Sequence, residues 1–448
     1  MRQETDSLGT VSLPADCLYG LQSWRARENF PDLGRTVNFH LIRAIIQIKK
    51  AAAQTFGELI PEKREVCSAV VWAADEVLSG KWTEMFIVPA VQGGAGTSAN
   101  MNCNEVLANL ALLKMGRRPG QYEYCHPLDD VNRGQSTNDV YPTALRIAAV
   151  GRLRLLSQAA ADLQEALQIK ENLWAAVPKL GRTELMDAVP ITLGEEFGAY
   201  AQALARDRWR LYKIEERLRE INLGGRAVGL TDRRDKLWRF GTVEKLRQAV
   251  GIGLAASEYP MDITQNNDVF VEVSGLLKAL AVNLQKIAMD LRLMNSGPRG
   301  GLGEVRLAPL QMGSTIMPGK VNPVIPEMVI CASMKVMAND LALSMAASRG
   351  EFELNAFAPL IAESLLESLD LLTQAAILFR QKAVETLEAV PERCLEHLDQ
   401  SLARAVRYTP HLGYDRVSRI LAEEKGTPAE IMEVLEKELL ALKAEPGK

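Results

Sequence analysis

Long apolar runs, paired cysteines and clustered basic residues are all missing from this 448-residue chain. No uninterrupted apolar stretch approaches the roughly 20 residues that a bilayer-crossing helix needs. The charged opening Met1–Asp6 lacks the apolar core of a secretory signal. The six cysteines (Cys17, Cys67, Cys103, Cys125, Cys331 and Cys394) lie far apart, with no Cys-x-x-Cys pair. That spacing fits buried free thiols in a reducing compartment better than a disulfide framework or a zinc site. The four histidines, His40, His126, His397 and His411, lack metal-ligand spacing, so no metal is assigned. A formal net charge of −4 with dispersed basic residues leaves no nucleic-acid footprint. No Gly-x-Gly-x-x-Gly follows a strand pattern, so a dinucleotide fold has no support. These absences predict a cytoplasmic globular protein with no cofactor, no nucleic-acid partner and no membrane segment.

What is present is core material. At 47% apolar and 24% charged residues the chain can bury a large interior, and its length predicts about three domains. Residues 1–133 mix turns with shorter helices, such as Val37–Gln54 and Pro61–Leu78. Residues 134–388 read as long helices: Thr143–Ala176, Ala188–Leu223, Asp268–Asn295, Pro323–Ser348 and Ala358–Leu387. All exceed the mean helix length of about 11–12 residues. Val273, Leu277, Leu280, Leu284, Ile287 and Leu291 step by alternating fours and threes, the seam of a helix bundle. Leu365, Leu369, Leu372 and Ala376 repeat the stepping. Apolar residues continue beyond the seam, as in Leu276–Val282, and a second greasy face is usually buried against another subunit. A mainly α protein follows, with a five-helix bundle that oligomerises and a small C-terminal domain over 389–448.

Four polar segments interrupt the helices. Gly93–Asn102 is a glycine run leading into hydroxyls and amides, where backbone N–H groups approach an anion and Thr97 or Ser98 adds a hydroxyl. Taken alone, it reads more simply as a tight turn capped by Ser98 or Asn100. In His126–Asp139, Pro142 marks the opening of a long helix, so Ser136, Thr137 and Asn138 sit at an anion-attracting N-terminus. The plainer account is capping by Asn138 or Asp139. Lys179–Pro190 contains Glu184, an acid or base candidate, although an exposed helix-start glutamate is commoner. Gly313–Asn322 combines Ser314 and Thr315, the Lys320 cation and the Asn322 amide. It is not a P-loop, because Gly313 to Gly319 encloses five residues and Val321 stands where Ser or Thr is needed. A serine base beside a carboxylate clamp is its simplest chemical content.

Taken together, these segments resemble the aspartase/fumarase superfamily over nearly the whole chain. Its signature Gly-Ser-x-x-Met-x-x-Lys-x-Asn is met by Gly313, Ser314, Met317, Lys320 and Asn322. Gly96-Thr97-Ser98 with Asn100-Met101-Asn102, Gln135–Asp139 and Gly181-Arg182-Thr183 precede it in the usual order. Gly93–Ser98 and Asn322–Glu327 look like the aspartate ammonia-lyase branch. The resemblance implies a three-domain fold whose long helices form a tetrameric core, and composite active sites drawing on three subunits. It also implies reversible elimination across a Cα–Cβ bond. Ser314 would be the general base, on a closing loop. Thr97, Ser136, Thr137 and Thr183 would surround the aci-carboxylate, with Ser98 and Thr315 as further substrate-binding hydroxyls. Lys320 and Asn322 would hold the other carboxylate, and Asn138 the amino group.

The chain departs from the family at informative places. Position 184 is Glu, where fumarases have His and aspartases usually have Gln or His. It is expected to contact the substrate ammonium or another cationic group and to assist its departure, the plainer account being a hydrogen-bonding Glu away from the substrate. Glu327 is placed nearby, so the two carboxylates would raise one pKa. Arg226 replaces a small hydroxyl residue, and is expected to partner Glu184, recognise another carboxylate or fill substrate space. Leu128 stands where the second anion site has Asn. Alternatives are a lyase for another amino-substituted succinate, a fumarase, or a silent tetrameric scaffold.

Overall fold

Helix dominates wherever apolar residues recur at threes and fours, as they do over most of the chain in the computed structural model, which describes residues 1–232 and 235–444. In order come β1 (Arg2–Asp6), β2 (Gly9–Leu13), α1 (Leu21–Asn29), α2 (Phe39–Leu59), α3 (Arg64–Leu78) and α4 (Thr97–Lys114). Next are α5 (Thr137–Leu173), β3 (Pro178–Thr183), β4 (Met186–Thr192), α6 (Leu193–Arg217), β5 (Glu220–Ile221), α7 (Lys236–Val250), β6 (Ala255–Ala256) and α8 (Pro260–Gln265). The remainder is α9 (Asp268–Met294), β7 (Val305–Arg306), α10 (Val324–Ala347), α11 (Ala358–Phe379), β8 (Glu388–Ala389), α12 (Pro391–Asp399), α13 (Thr409–Leu412), α14 (Tyr414–Glu423) and α15 (Pro428–Ala444). The fold is mainly α, as the periodicity predicts, and the described strands pair only two by two.

Two compact units interleave along the sequence, and their boundaries fall inside the five long helices. The first comprises residues 1–157, 209–281 and 334–373. There α2 packs on α3 and α7, and α3 on α4, burying Ile42, Ile45, Ile46, Val70, Val77, Val106 and Leu107. The second comprises 158–208, 282–333 and 374–448. There β3 lies against α12, and Tyr408, Leu412, Val417, Ile431 and Leu435 form a small core around α13–α15.

Within α9 every residue of the predicted seam is at most 1% exposed. A second stripe stays open: Val282, Met289 and Leu293 on α9, and at the same spacing Met334, Leu341 and Met345 on α10. Val324–Ala347 is long and apolar enough by composition to cross a bilayer, a property that a search for uninterrupted apolar runs misses. Its Lys335 and Asp340 are ion-paired to Glu367 and Lys278, as in a helix packed among other helices.

Several boundaries differ from expectation: α2 runs on to Leu59, α6 stops at Arg217 and α11 at Phe379, and two helix starts bear on the site. Helix α6 begins at Leu193 rather than Ala188, because Met186–Thr192 pairs with β3 as an antiparallel hairpin. Helix α5 begins at Thr137, with Pro142 inside it. Pro142 has no N–H for the carbonyl of Asn138, and the Asn222 amide donates to that oxygen instead, at 3.0 Å.

Candidate active site

In the first unit two helix N-termini carry the hydroxyl and amide candidates. The turn before α4 holds Ala95 and Gly96 at positive φ, and a Cβ on Gly96 would lie 2.2 Å from the Tyr141 ring. Only glycine fits there. No side chain caps α4, so neither Ser98 nor Asn100 is the cap that the plainer account proposed. Thr97 is exposed and Ser98 half-buried in the opening turn, where unbonded N–H groups attract anions.

Ser136, rather than Asn138 or Asp139 alone, caps α5. Its hydroxyl oxygen accepts from the Asn138 N–H at 3.2 Å, and its own N–H donates to Asp139 at 3.0 Å. This reciprocal pair is a capping box with aspartate at the far corner. The other Asp139 oxygen accepts the N–H groups of Gly224 (3.1 Å) and Arg226 (2.9 Å), tying the 224–228 turn to α5. Burial pushes the Asp139 carboxyl up to about 6, against these N–H donors.

Asn138 is clamped on three sides. Its N–H and carbonyl are bonded as above, and its side-chain N–H donates to the Ala227 carbonyl at 2.7 Å. Only the nitrogen of the amide can make that last bond, and Oδ1 has no partner among the described residues. An amide oxygen can accept an N–H from a ligand. Arg226 sits at φ 55°, and its guanidinium pairs with Asp235, so part of its charge is already matched. Its three expected roles did not include this neighbour.

In the second unit Thr183 and Glu184 form the exposed tip of the β3–β4 hairpin. Glu184 and Leu185 both take positive φ, at 55° and 64°, the geometry of a tight I′ turn. Glu184 has no hydrogen bond or ion pair among the described residues, and Glu327 pairs with Arg292 at 3.4 Å.

The 313–322 loop closes on itself. Gly313 donates its N–H to the Lys320 carbonyl at 2.8 Å, and the Asn322 amide donates to the Gly313 carbonyl at 3.0 Å. The second side-chain N–H of Asn322 has no partner among the described residues. Ser314 Oγ accepts the N–H groups of Ile316 (3.2 Å) and Met317 (2.9 Å). Thr315 and Lys320 are exposed. Among the described residues no hydrogen bond or ion pair joins this loop to the 183–184 tip.

Residues 9–338 match the model of a family described as Lyase. The chain is 42% identical over 434 residues to aspartate ammonia-lyase of a Bacillus species, covering 97% of this chain and 93% of that protein. It is 41% identical to aspartate ammonia-lyase of Bacillus subtilis, covering 94% and 89%. Among solved structures it superposes on a Brucella melitensis fumarate lyase:delta crystallin, bound to cobalt, with TM-score 0.91, 42% identity and 99% of both chains covered. A class II fumarase from Schistosoma mansoni matches with TM-score 0.90 and 31% identity, covering 97% and 95%. The chain belongs to this lyase family.

The lyase also contains buried polar residues that motif reading missed. Lys49 on α2 is fully buried and donates to Asn132 Oδ1 at 2.7 Å. The same oxygen accepts from Asn100 (3.2 Å) and Asn104 (3.3 Å), and Asn100 also donates to the Thr137 hydroxyl at 3.2 Å. The Asn100 amide thus links the start of α4 to the start of α5, and Asn132 Oδ1 joins α4 to Lys49 on α2. No carboxylate lies within ion-pair distance of Lys49 among the described residues, and burial pushes its ammonium down to about 7. A signal existed: Ile42, Ile45, Lys49 and Ala52 share one helical stripe, so a lysine on the core face was legible. Glu304, wholly buried between two cations, had no such periodicity. His126 proves structural in the lyase, its Nδ1 accepting the N–H groups of Leu128 and Asp129.

Proposed function

We propose that this lyase converts L-aspartate reversibly to fumarate and ammonia, with Ser314 as the base that removes the Cβ proton. The observation that carries the reading is the Ser314 turn. A serine hydroxyl is a weak base because its alkoxide is unstable in water. Two N–H groups aimed at Oγ favour the charged form, on a loop that also presents Lys320 and Asn322. The carbanion formed next to a carboxylate is an aci-dianion and needs several preorganised donors. One such donor is typically worth about 2.7–4 kcal/mol in the transition state. Thr97, Ser98, Ser136, Thr137, Thr183 and Thr315 supply the hydroxyls, and Lys320 and Asn322 hold the remote carboxylate. Oδ1 of Asn138 receives the ammonium. We further propose a cytoplasmic homotetramer, in which the open stripes of α9 and α10 meet their copies and each site draws on three chains. The relatives' names support the amine leaving group over water.

The test is turnover with aspartate, malate and N-substituted aspartates, followed by the ultraviolet absorbance of fumarate. Aspartate should be the best substrate. Turnover with malate alone would establish a fumarase, and none from folded tetramer would establish a scaffold. Preference for an N-substituted aspartate would assign Arg226, despite its Asp235 partner, to the substituent. In the same assay Glu184→Gln should lower kcat about tenfold or more and shift its pH profile, as loss of an assisting acid or base does. An unchanged profile would remove Glu184 from the chemistry.

A further inference from the structure

Glu304 is a buried carboxylate of the second unit held by three side chains, and no step above uses it. Its side chain is fully enclosed. Oε1 accepts from Arg182 Nη1 and from His397 Nδ1, each at 2.8 Å, while Lys179 Nζ lies 3.2 Å from Oε2. A carboxylate accepts only, so His397 carries its proton on Nδ1 and has nothing on that atom to receive from Arg182. Burial pushes the Glu304 carboxyl up, but Lys179, His397 and Arg182 outweigh it and hold the group below its ordinary range. Lys179 also faces Glu196 at 3.4 Å, so two cations meet two carboxylates.

The backbone of Glu304 is equally engaged. Its N–H donates to the Met294 carbonyl at the end of α9, at 2.8 Å, and its carbonyl accepts from Val390 before α12, at 2.9 Å. Arg182 is the residue immediately before Thr183. Pairing along the hairpin is interrupted between Leu180 and Arg182, so beyond the bulge only Arg182–Asp187 and Thr183–Met186 remain paired. A two-pair tip with an exposed turn of non-glycine residues at positive φ has little of its own to hold it.

We propose that Glu304 is a positioning residue: through Arg182 it sets the Thr183–Glu184 turn, and through His397 it ties that turn to α12. The catalytic consequence rests on the reading that Thr183 and Glu184 meet the substrate; the mechanical part does not. A displacement of about 1 Å at a reacting group costs on the order of a hundredfold in rate, so a freed tip slows turnover more than it weakens binding.

The experiment uses the full-length protein with Cys331→Ser, because Cys331 is exposed, and a spin label on Leu185→Cys at the tip. Glu304→Gln is expected to raise the label's mobility and to lower kcat about 10- to 100-fold with KM changed less than threefold. Breaking one side of a buried ion pair leaves an unmatched charge and threatens folding. The double variant Glu304→Gln/Arg182→Gln leaves no orphaned charge there and answers the same question. Its kcat loss should equal that of either single change rather than their product. A label as immobile as in the parent overturns the proposal. So does a mobile label with unchanged kcat in a chain that turns over aspartate. If the parent turns over no amino-substituted succinate, the functional reading has failed, and label mobility alone decides whether Glu304 positions the tip.

Discussion

Ser314→Ala should lower kcat about a thousandfold, within the 10²–10⁴ range typical of a lost general base, while the protein stays folded. Oγ of Ser314 accepts two loop N–H groups on an exposed segment. Removing it frees donors that water can satisfy, so little stability is at stake. Fumarate needs no proton removed in order to bind, so its inhibition constant should stay within about threefold. A second readout isolates the step. Exchange of the substrate Cβ proton with deuterated solvent should disappear together with turnover. Retention of exchange would assign the proton to another group, and retention of turnover within tenfold would end the serine mechanism here.

Asn138→Leu should cost roughly 10- to 100-fold in kcat/KM for aspartate. A hydrogen bond to a charged partner contributes about 1.5–3 kcal/mol, and leucine keeps the volume without the acceptor. The effect should be directional. In the reverse reaction the KM for ammonia should rise by the same order, while that for fumarate, which has no ammonium, changes little. An equal rise in both would assign Asn138 to the carboxylate. Asn138→Asp provides a control: it keeps an acceptor but loses the N–H that grips Ala227. It should therefore bind ammonia better than the leucine variant while positioning it less well.

The long helices were legible because burial is periodic, and the α9 seam lies where the four-three stepping places it. The closed form of the 313–322 loop was legible because Gly313, Lys320 and Asn322 lie close in sequence and bond to one another. The β3–β4 hairpin was not. Its turn uses Glu184 and Leu185 at positive φ, where a sequence signal would be glycine or asparagine, so 188–192 read as helix. The identity of the α5 cap was missed for another reason. Ser136, Asn138 and Asp139 are all good caps, and only the bonds to Ala227 and Gly224 decide which side chains are occupied elsewhere. Contacts of this kind depend on residues nearly ninety positions away, which no local pattern contains. Glu304 and Arg182, far apart in the chain, are hidden in the same way.

Lys49 and Asp139 together leave a mark on the folding equilibrium. Burial lowers Lys49 from 10.5 to about 7. Between those values the unfolded chain holds more protons than the folded one, so this group makes stability rise with pH through that window. Burial raises Asp139 from 3.8 to about 6. Between those values the folded chain holds more protons, and its contribution falls as pH rises. The two slopes meet where Asp139 has released its proton and Lys49 still keeps its own, between about 6 and 7. For this pair of groups near-neutral pH is a valley rather than a summit, with both charges confined in the interior at once.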